Sequence, residues 1–245
     1  MSPRIALAVA RRVLRQLQRD PRTIALVLVV PPVLLTLLKY AFDQDPSAFQ
    51  QVGGPLVGLF PFITMFLVTS ITMLRERTSG TLERLMSMPL AKLDLLFGYA
   101  IAFAALATVQ AAIATAVAFG LLDLHVAGST VVVGLLAVGN AVLGMSLGLF
   151  VSAFARTEFQ AVQFMPAFVF PQLLLCGLFV PRDQMAPALE AISYALPLTY
   201  AFDALQRVTV DGSLGTAGIV DVVVTIGVTL AALALGAVTL RRRTA

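Results

Sequence analysis

Few side chains in this sequence could take part in chemistry, and their types decide which chemistry is open. There is one histidine, His125, one cysteine, Cys176, and two lysines, Lys39 and Lys92. A zinc site needs three or four His, Cys or carboxylate ligands gathered together, and one His with one Cys cannot supply a His/Cys cluster. No G-x-x-x-x-G-K-[ST] segment occurs, so the chain lacks that cradle for a nucleotide. The scattered serines have no base near them in sequence, so no nucleophile elbow is read. His125, beside Asp123, reads as a solvated loop residue rather than a ligand or proton relay. What remains is the chemistry of binding, docking and packing.

The polar groups inside apolar sequence are mild: Gln110, Asn140, Gln163 and Gln172, with several Thr and Ser. A proton relay across a bilayer needs buried carboxylates or histidines. Here the only carboxylate or histidine within an apolar stretch is Asp221, near one end of the last. Any uphill movement of a solute would therefore draw its energy from another subunit. Asn140, Gly144, Gly148 and Ser152 recur every four residues, and small residues at that spacing let helices approach closely. Packing is the first reading of that stripe and contact with a solute the second. Two further stripes, Thr64, Met65, Val68 and Thr72, and Phe164, Phe168 and Gln172, suit a wall touching a large amphipathic molecule. Lipid or helix contact accounts for them as well. Pro166 and Pro171 interrupt the second stripe and break its helix locally.

These groups must be positioned by the apolar stretches that carry them. The 245 residues are 59% hydrophobic and 12% charged, with a mean hydropathy of +0.92. Soluble domains carry about 25% charged residues, so a water-soluble globule is excluded. At roughly 20 apolar residues per crossing, the length allows six spans, read at 23–40, 56–74, 95–122, 131–154, 161–180 and 219–240. In hydrocarbon the backbone must satisfy itself, so each is helical. The fold class is an all-α membrane protein forming one transmembrane domain over 1–245. Pro31-Pro32 predicts a kink in the first span.

Lys and Arg favour the cytoplasmic side. With both ends inside, fourteen fall inside and only Lys39, Arg182 and Arg207 outside. The pI of about 9.7 thus follows from topology, and no aromatic-interleaved basic groove suggests a nucleic acid. The first 22 residues are too often interrupted by Arg to form a cleavable signal peptide. They read instead as an amphipathic helix, with Leu7, Val9, Val13, Leu14 and Leu17 on one side and Arg4, Arg11, Arg12, Arg15 and Arg19 on the other. Such a helix lies in the membrane interface against anionic headgroups, or also touches a partner protein. Asp20-Pro21 ends it.

The segment after the second span runs Arg75-Glu76-Arg77-Thr78-Ser79-Gly80-Thr81-Leu82-Glu83-Arg84-Leu85-Met86-Ser87-Met88-Pro89. Leu82, Leu85 and Met86 share one face of a short helix starting near Gly80-Thr81 and stopping before Pro89. That apolar face suits a groove on another protein, with charges setting register at its rim, or a helix lying on headgroups. Between the fifth and sixth spans, Asp183 could cap a helix in which Met185, Leu189, Ile192 and Leu196 recur, dipping into the outer leaflet. The external loop over 39–54 gives no chemical signal.

These segments together resemble a family. The run from Arg75 to Leu85, ending at Pro89 and followed by Gly98, is similar to the signature of ABC-2 type permeases, the membrane subunits of one class of ATP-binding cassette exporters. The second half agrees, with Gly177-Leu178-Phe179-Val180-Pro181, Met185, Pro187, Pro197-Leu198-Thr199-Tyr200, Ala204-Leu205 and Arg207. Ala188 departs from it, where relatives often carry an aromatic residue. The short form looks most like the daunorubicin-resistance type of drug-export permease.

The resemblance implies six spans, pairing with a second permease copy (identical or a paralogue), and docking of two cytoplasmic ATPase subunits. ATP and magnesium would be bound by those subunits, with no cofactor, metal or catalytic residue in this chain. It makes Gly80–Met86 the coupling helix, with Arg75, Glu76, Arg77, Gly80, Thr81, Leu82, Glu83, Leu85 and Met86 contributing to ATPase coupling. Residues 4–19 become the interfacial connecting helix, in contact with membrane lipids. The segment Asp183–Leu196 becomes a re-entrant external hairpin, marked by Gly177, Phe179, Pro181, Met185, Pro187, Pro197 and Tyr200. Spans two and five line the central path. Fifteen arginines against two lysines suggest a GC-rich bacterial gene, hence a bacterial inner membrane. The implied function is export of a hydrophobic or amphipathic drug by alternating access. Rival readings are a permease of the same architecture for a lipid or lipid-linked glycan, and a membrane-embedded enzyme or assembly factor.

Overall fold

The computed structural model of the chain describes residues 2–81 and 92–239. Among these the regular elements are helical, and five helices are long and apolar enough to cross a membrane. Helix α1 (Pro3–Gln18) opens on a proline, whose missing N–H costs nothing in a first turn. It turns Ala6, Val9, Ala10, Val13 and Leu17 inward. That face packs on Leu95, Leu96, Tyr99 and Phe103 of α4 (Lys92–Gly120). Val9, Val13 and Leu17 of the predicted apolar face cover the chain's own helix, while Leu7 of the same face is exposed. Arg4, Arg11, Arg15 and Arg19 do lie exposed.

Asp20 caps α2 (Pro21–Ala41), accepting from the Thr23 amide at 3.2 Å and the Thr23 hydroxyl at 2.7 Å. The helix continues through Pro31-Pro32 without interruption. Helix α3 (Pro46–Thr78) is far longer than the 56–74 read from hydropathy. Asp45 caps it and Pro46 takes its first position, so much of the expected external loop 39–54 is helix.

Helix α5 (Thr130–Val151) forms the main packing seam with α3. A Cβ at Gly144 would lie 2.2 Å from the Phe62 carbonyl oxygen, and one at Gly148 2.4 Å from that of Phe66. Only glycine allows the two backbones this close, so the four-residue stripe packs. The fifth apolar stretch is not one uniform helix over 161–180. Thr157 caps α6 (Glu158–Phe164), a wider π-turn spans Met165–Val169, and α7 (Phe170–Leu175) follows. Pro166 and Pro171 lack amide protons, which removes ladder bonds where the helix widens. Helical structure stops at Leu175, before Gly177, whose φ is +105°.

Two short helices, α8 (Pro187–Ser193) and α9 (Pro197–Gln206), precede a second π-turn (Arg207–Asp211) and α10 (Gly215–Thr239). Asp183 does not cap the first of them. It lies in a separate 3-10 turn, Arg182–Gln184, while Ala186 caps α8 without a side-chain bond and Pro187 starts it. Leu196 is likewise the cap of α9 and not a member of α8's face.

Candidate functional site: the end of α3 and what it grips

The last turn of α3 is where the site is built. The helix ends at Thr78, and the Ser79 amide returns to the Arg75 carbonyl at 2.9 Å. Gly80 then adopts φ +71°, a left-handed conformation that costs any residue with a Cβ. Thr81 is again helical, and the rest of the predicted short helix, with Leu82, Glu83, Leu85 and Met86, lies outside the described residues. Ser79 and Thr81 share a hydroxyl hydrogen bond of 2.9 Å across the break.

Three consecutive charged residues leave α3 in three directions. Glu76 points inward and is only 3% exposed. It accepts from Gln16 Nε2 at 2.6 Å and from Arg12 Nη2 at 3.4 Å, both on α1. Arg12, about one third exposed, also donates to the Tyr99 hydroxyl on α4 at 3.4 Å. Arg75 grips Glu158 with two parallel bonds, Nε to Oε1 at 2.8 Å and Nη2 to Oε2 at 3.0 Å. These hydrogen bonds hold the Glu158 carboxyl below its ordinary range. Arg77 donates to the Ser152 carbonyl at 2.7 Å, just past the end of α5, where a cation complements the helix dipole. The first two turns of α4 are tied to α1 separately, by the Ser2 amide donating to buried Asp94 at 2.9 Å. A polar cavity of about 260 Å³ lies within this junction, bordered by Gln16, Asp20, Thr23, Thr72, Arg75 and Glu76.

Sequence reasoning placed Arg75, Glu76 and Arg77 in the coupling motif but missed their partners. Arg12 read as one of five equivalent arginines on a basic arc, and Gln16 and Glu158 carried no signal. Only one clue was available: Glu158 is an isolated acid close after the fourth span, at the end where basic residues gather.

The two stripes expected to share a wall do not meet within this chain. Thr64 donates to the Phe60 carbonyl at 2.9 Å and accepts from Gln110 of α4, which also donates to the Val27 carbonyl of α2 at 2.9 Å. Met65 is fully buried beside Tyr99 and Phe103, Val68 packs on the same cluster, and Thr72 borders the polar cavity. This stripe thus faces α1, α2 and α4. Phe168 instead stacks on Phe66, with ring centroids 6.4 Å apart and planes within 7°. Two residues turn a helix by about 200°, which puts Phe66 on the opposite side of α3 from Thr64. Phe164 packs near Leu74 and Ala161. Gln172 is buried, donating to the Phe168 carbonyl at 2.9 Å and accepting from the Leu198 amide at 3.4 Å, which fastens the start of α9.

At the opposite end, Gly177 turns the chain against the Phe202 ring. Arg182 pairs with Asp203 and lies over the Tyr194 ring at 5.3 Å. Tyr200 donates to the Tyr194 carbonyl at 2.7 Å, and Pro187 and Pro197 each open a helix. Pro181 precedes the 3-10 turn, Met185 ends it half-buried, and Phe179 is exposed.

Comparison with known proteins agrees with this arrangement. Over 178 residues, 72% of this chain, it is 28% identical to ABC transporter G family member 20 of Dictyostelium discoideum, of which that match covers 24%. It is 29% identical over 156 residues, 62% of this chain, to 42% of the probable multidrug ABC transporter permease YbhR of Escherichia coli K12. With YbhS of the same organism, also named a probable multidrug permease, identity is 25% over 195 residues, 78% of this chain and 51% of the relative. The chain thus spans about a quarter to a half of the length of these curated relatives. Residues 6–209 match the family model described as ABC-2 type transporter, and with several helices apolar enough to cross a bilayer the chain is a multi-pass membrane protein belonging to that family of ABC transporter permeases.

Proposed function

We propose that this chain is the conduit of an ATP-driven exporter and that the end of α3 receives the drive. One observation carries the reading: Arg75, Glu76 and Arg77 tie the residues just before the Gly80 break to α6, to α1 and to the end of α5. A push on the helix that starts at Thr81 would therefore be delivered to several elements together. The push would come from a separate cytoplasmic ATPase, two copies per assembly, which would bind ATP and magnesium. Leu82, Leu85 and Met86 would enter its groove and Glu83 would set register at the rim. The basic end, with Arg4, Arg11, Arg15, Arg19, Arg75 and Arg77, would face the cytoplasm. The run α6–π-turn–α7 would be the fifth of six crossings, and α8 and α9 the external hairpin.

A second copy would complete the assembly, covering the exposed apolar residues of α2 (Leu26, Val29, Leu37) and of the fifth crossing (Phe159, Phe170, Leu174). The cargo, a hydrophobic or amphipathic drug, would pass between the copies beside Phe168, whose ring is partly exposed. Closure of the ATPases would tilt each half and open the path outward, with release following from weaker binding in the outward state.

The test is Glu83→Arg in the chain coexpressed with its ATPase. ATP turnover should persist while stimulation by transport and export both fall to background, at unchanged membrane expression. Wild-type export by that variant refutes the role given to the segment.

A further inference from the structure

A second cavity, of about 390 Å³, lies between α5, α9 and α10, well away from the α3 junction. Leu136, Val222, Ile226 and Leu230 contribute to its wall. Thr225 and Thr229 also line it, but their hydroxyls are spent on the Asp221 and Thr225 carbonyls at 2.8 Å each. The lining is therefore apolar except at Asn140, which is 2% exposed and whose amide nitrogen has no partner among the described residues. Leu135, Ile226 and Leu230 border the cavity and are also exposed, so it opens sideways. In a bilayer that opening faces hydrocarbon. From Val222 to Leu230 the slot runs about 12 Å along α10.

A charged pair adjoins the lining in the chain. Arg207 follows Ala204 of the wall by three residues, and Asp221 immediately precedes Val222. Arg207 gives Asp221 its Nε alone, at 3.2 Å. Among the described residues its two terminal nitrogens have no acceptor, and the side chain is 37% exposed. A guanidinium fork matches phosphate oxygens two at a time. An apolar slot open to lipid, ending at a fork with unused donors, has the form of a single phospholipid site.

We propose that this cavity holds one acyl chain of a membrane phospholipid whose phosphate sits on the terminal nitrogens of Arg207. The site is distinct from the cargo path and does not depend on the export reading, since it requires only that the chain lie in a bilayer.

Native mass spectrometry of the purified full chain in detergent tests it, with phosphatidylglycerol or a diacylglycerol of the same chains added after delipidation. The wild type should retain one phosphatidylglycerol per chain and bind it about tenfold or more tightly than the diacylglycerol, the factor a charge-assisted hydrogen bond carries. Gly139 borders the cavity, and a Cβ there meets no atom within 4 Å. Gly139→Phe should therefore fill the slot without disturbing the fold and weaken phosphatidylglycerol about tenfold, because displacing about two methylenes already carries that factor. If Phe proves too large to fold, Gly139→Leu makes the same test. The pair Arg207→Gln with Asp221→Asn, which leaves no buried charge alone, should abolish the preference for phosphatidylglycerol over diacylglycerol while sparing the slot. Equal binding of the two lipids by wild type, or undiminished phosphatidylglycerol on Gly139→Phe, overturns the proposal. So does a Gly139→Phe variant that loses its second copy and no lipid, which would make this face an interface between chains.

Discussion

The two ends of the helical bundle are both polar, but they are wired differently. At the α3 end each bond joins residues far apart in sequence: Gln16 to Glu76 across 60 residues, Arg12 to Glu76 across 64, Arg77 to Ser152 across 75 and Arg75 to Glu158 across 83. Within the hairpin over 177–221 at the other end the side-chain bonds are local. The long-range ties of that end, such as Lys39 to the Leu122 carbonyl across 83 residues and His125 to Gln50 across 75, lie outside it. Ser193 to Thr199 and Tyr194 to Tyr200 span 6 residues, Arg207 to Asp221 spans 14 and Arg182 to Asp203 spans 21. The first end is a junction between helices that would otherwise be independent, and the second is a hairpin that fixes its own shape. A junction passes displacement from one element to another, whereas a hairpin resists it. The drive proposed for the α3 end would use that difference.

The sharpest way to break this contrast is Arg12→Ala. It leaves the Glu76 carboxylate buried with only the Gln16 amide, and losing one partner of a buried charge pair costs about 3 kcal/mol. Thermal unfolding in detergent should show the loss. Adding Glu76→Gln removes the stranded charge and should restore most of the stability, yet leave export impaired because α1 is no longer held by charge. If the double variant exports normally, the junction is merely structural.

At the hairpin end Arg182→Ala strands buried Asp203 and removes the cation over Tyr194. The stability cost should be about 2 kcal/mol, smaller because the stranded carboxylate is less deeply buried than that of Glu76, and local. Hydrogen exchange should quicken over 182–203 and remain unchanged over 75–81, with ATPase stimulation by cargo preserved. Exchange spreading to the α3 end would erase the distinction drawn between the two.

Gly80→Ala acts on a smaller scale than either. Nothing lies within 4 Å of the added Cβ, so the cost is that of the left-handed backbone alone, about 1 kcal/mol. The variant should fold and insert normally while the coupling of ATP turnover to export declines. An unchanged coupling ratio would mean that the break in the chain does not set the direction of the following helix.

Much of this was legible in the sequence, for identifiable reasons. Hydropathy located the long helices because lipid imposes one requirement along the whole length of a span. It underestimated α3 because Asp45 and Pro46 extend the helix through residues that hydropathy scores as loop. The run from Arg75 to Pro89 could be singled out, since Gly80 and the charges around it are written consecutively. Its partners were not, because Arg12 and Glu158 acquire meaning only when α1 and α6 are brought beside α3. For the stripe Thr64–Thr72 periodicity identifies a face but not the neighbour it meets, and within this chain the neighbours include Gln110 and the cluster around Tyr99.

The smallest effect belongs to the exposed clamp between Arg75 and Glu158. The two side chains are 56% and 54% exposed, and such a pair contributes less than about 1 kcal/mol even with bidentate geometry. Its sign with pH is nevertheless fixed. Arg75 depresses the folded-state Glu158 carboxyl below the unfolded value. The contribution is therefore complete above the ordinary glutamate range of about 4.3 and fades as pH falls through the depressed folded-state value. Wild type and Arg75→Ala should differ slightly in unfolding temperature near neutrality and converge in acid. A difference that survives at a pH where both carboxyls are protonated would show that Arg75 holds α6 by packing of its stem, and the α3 end would then be joined to α6 by contact rather than by charge.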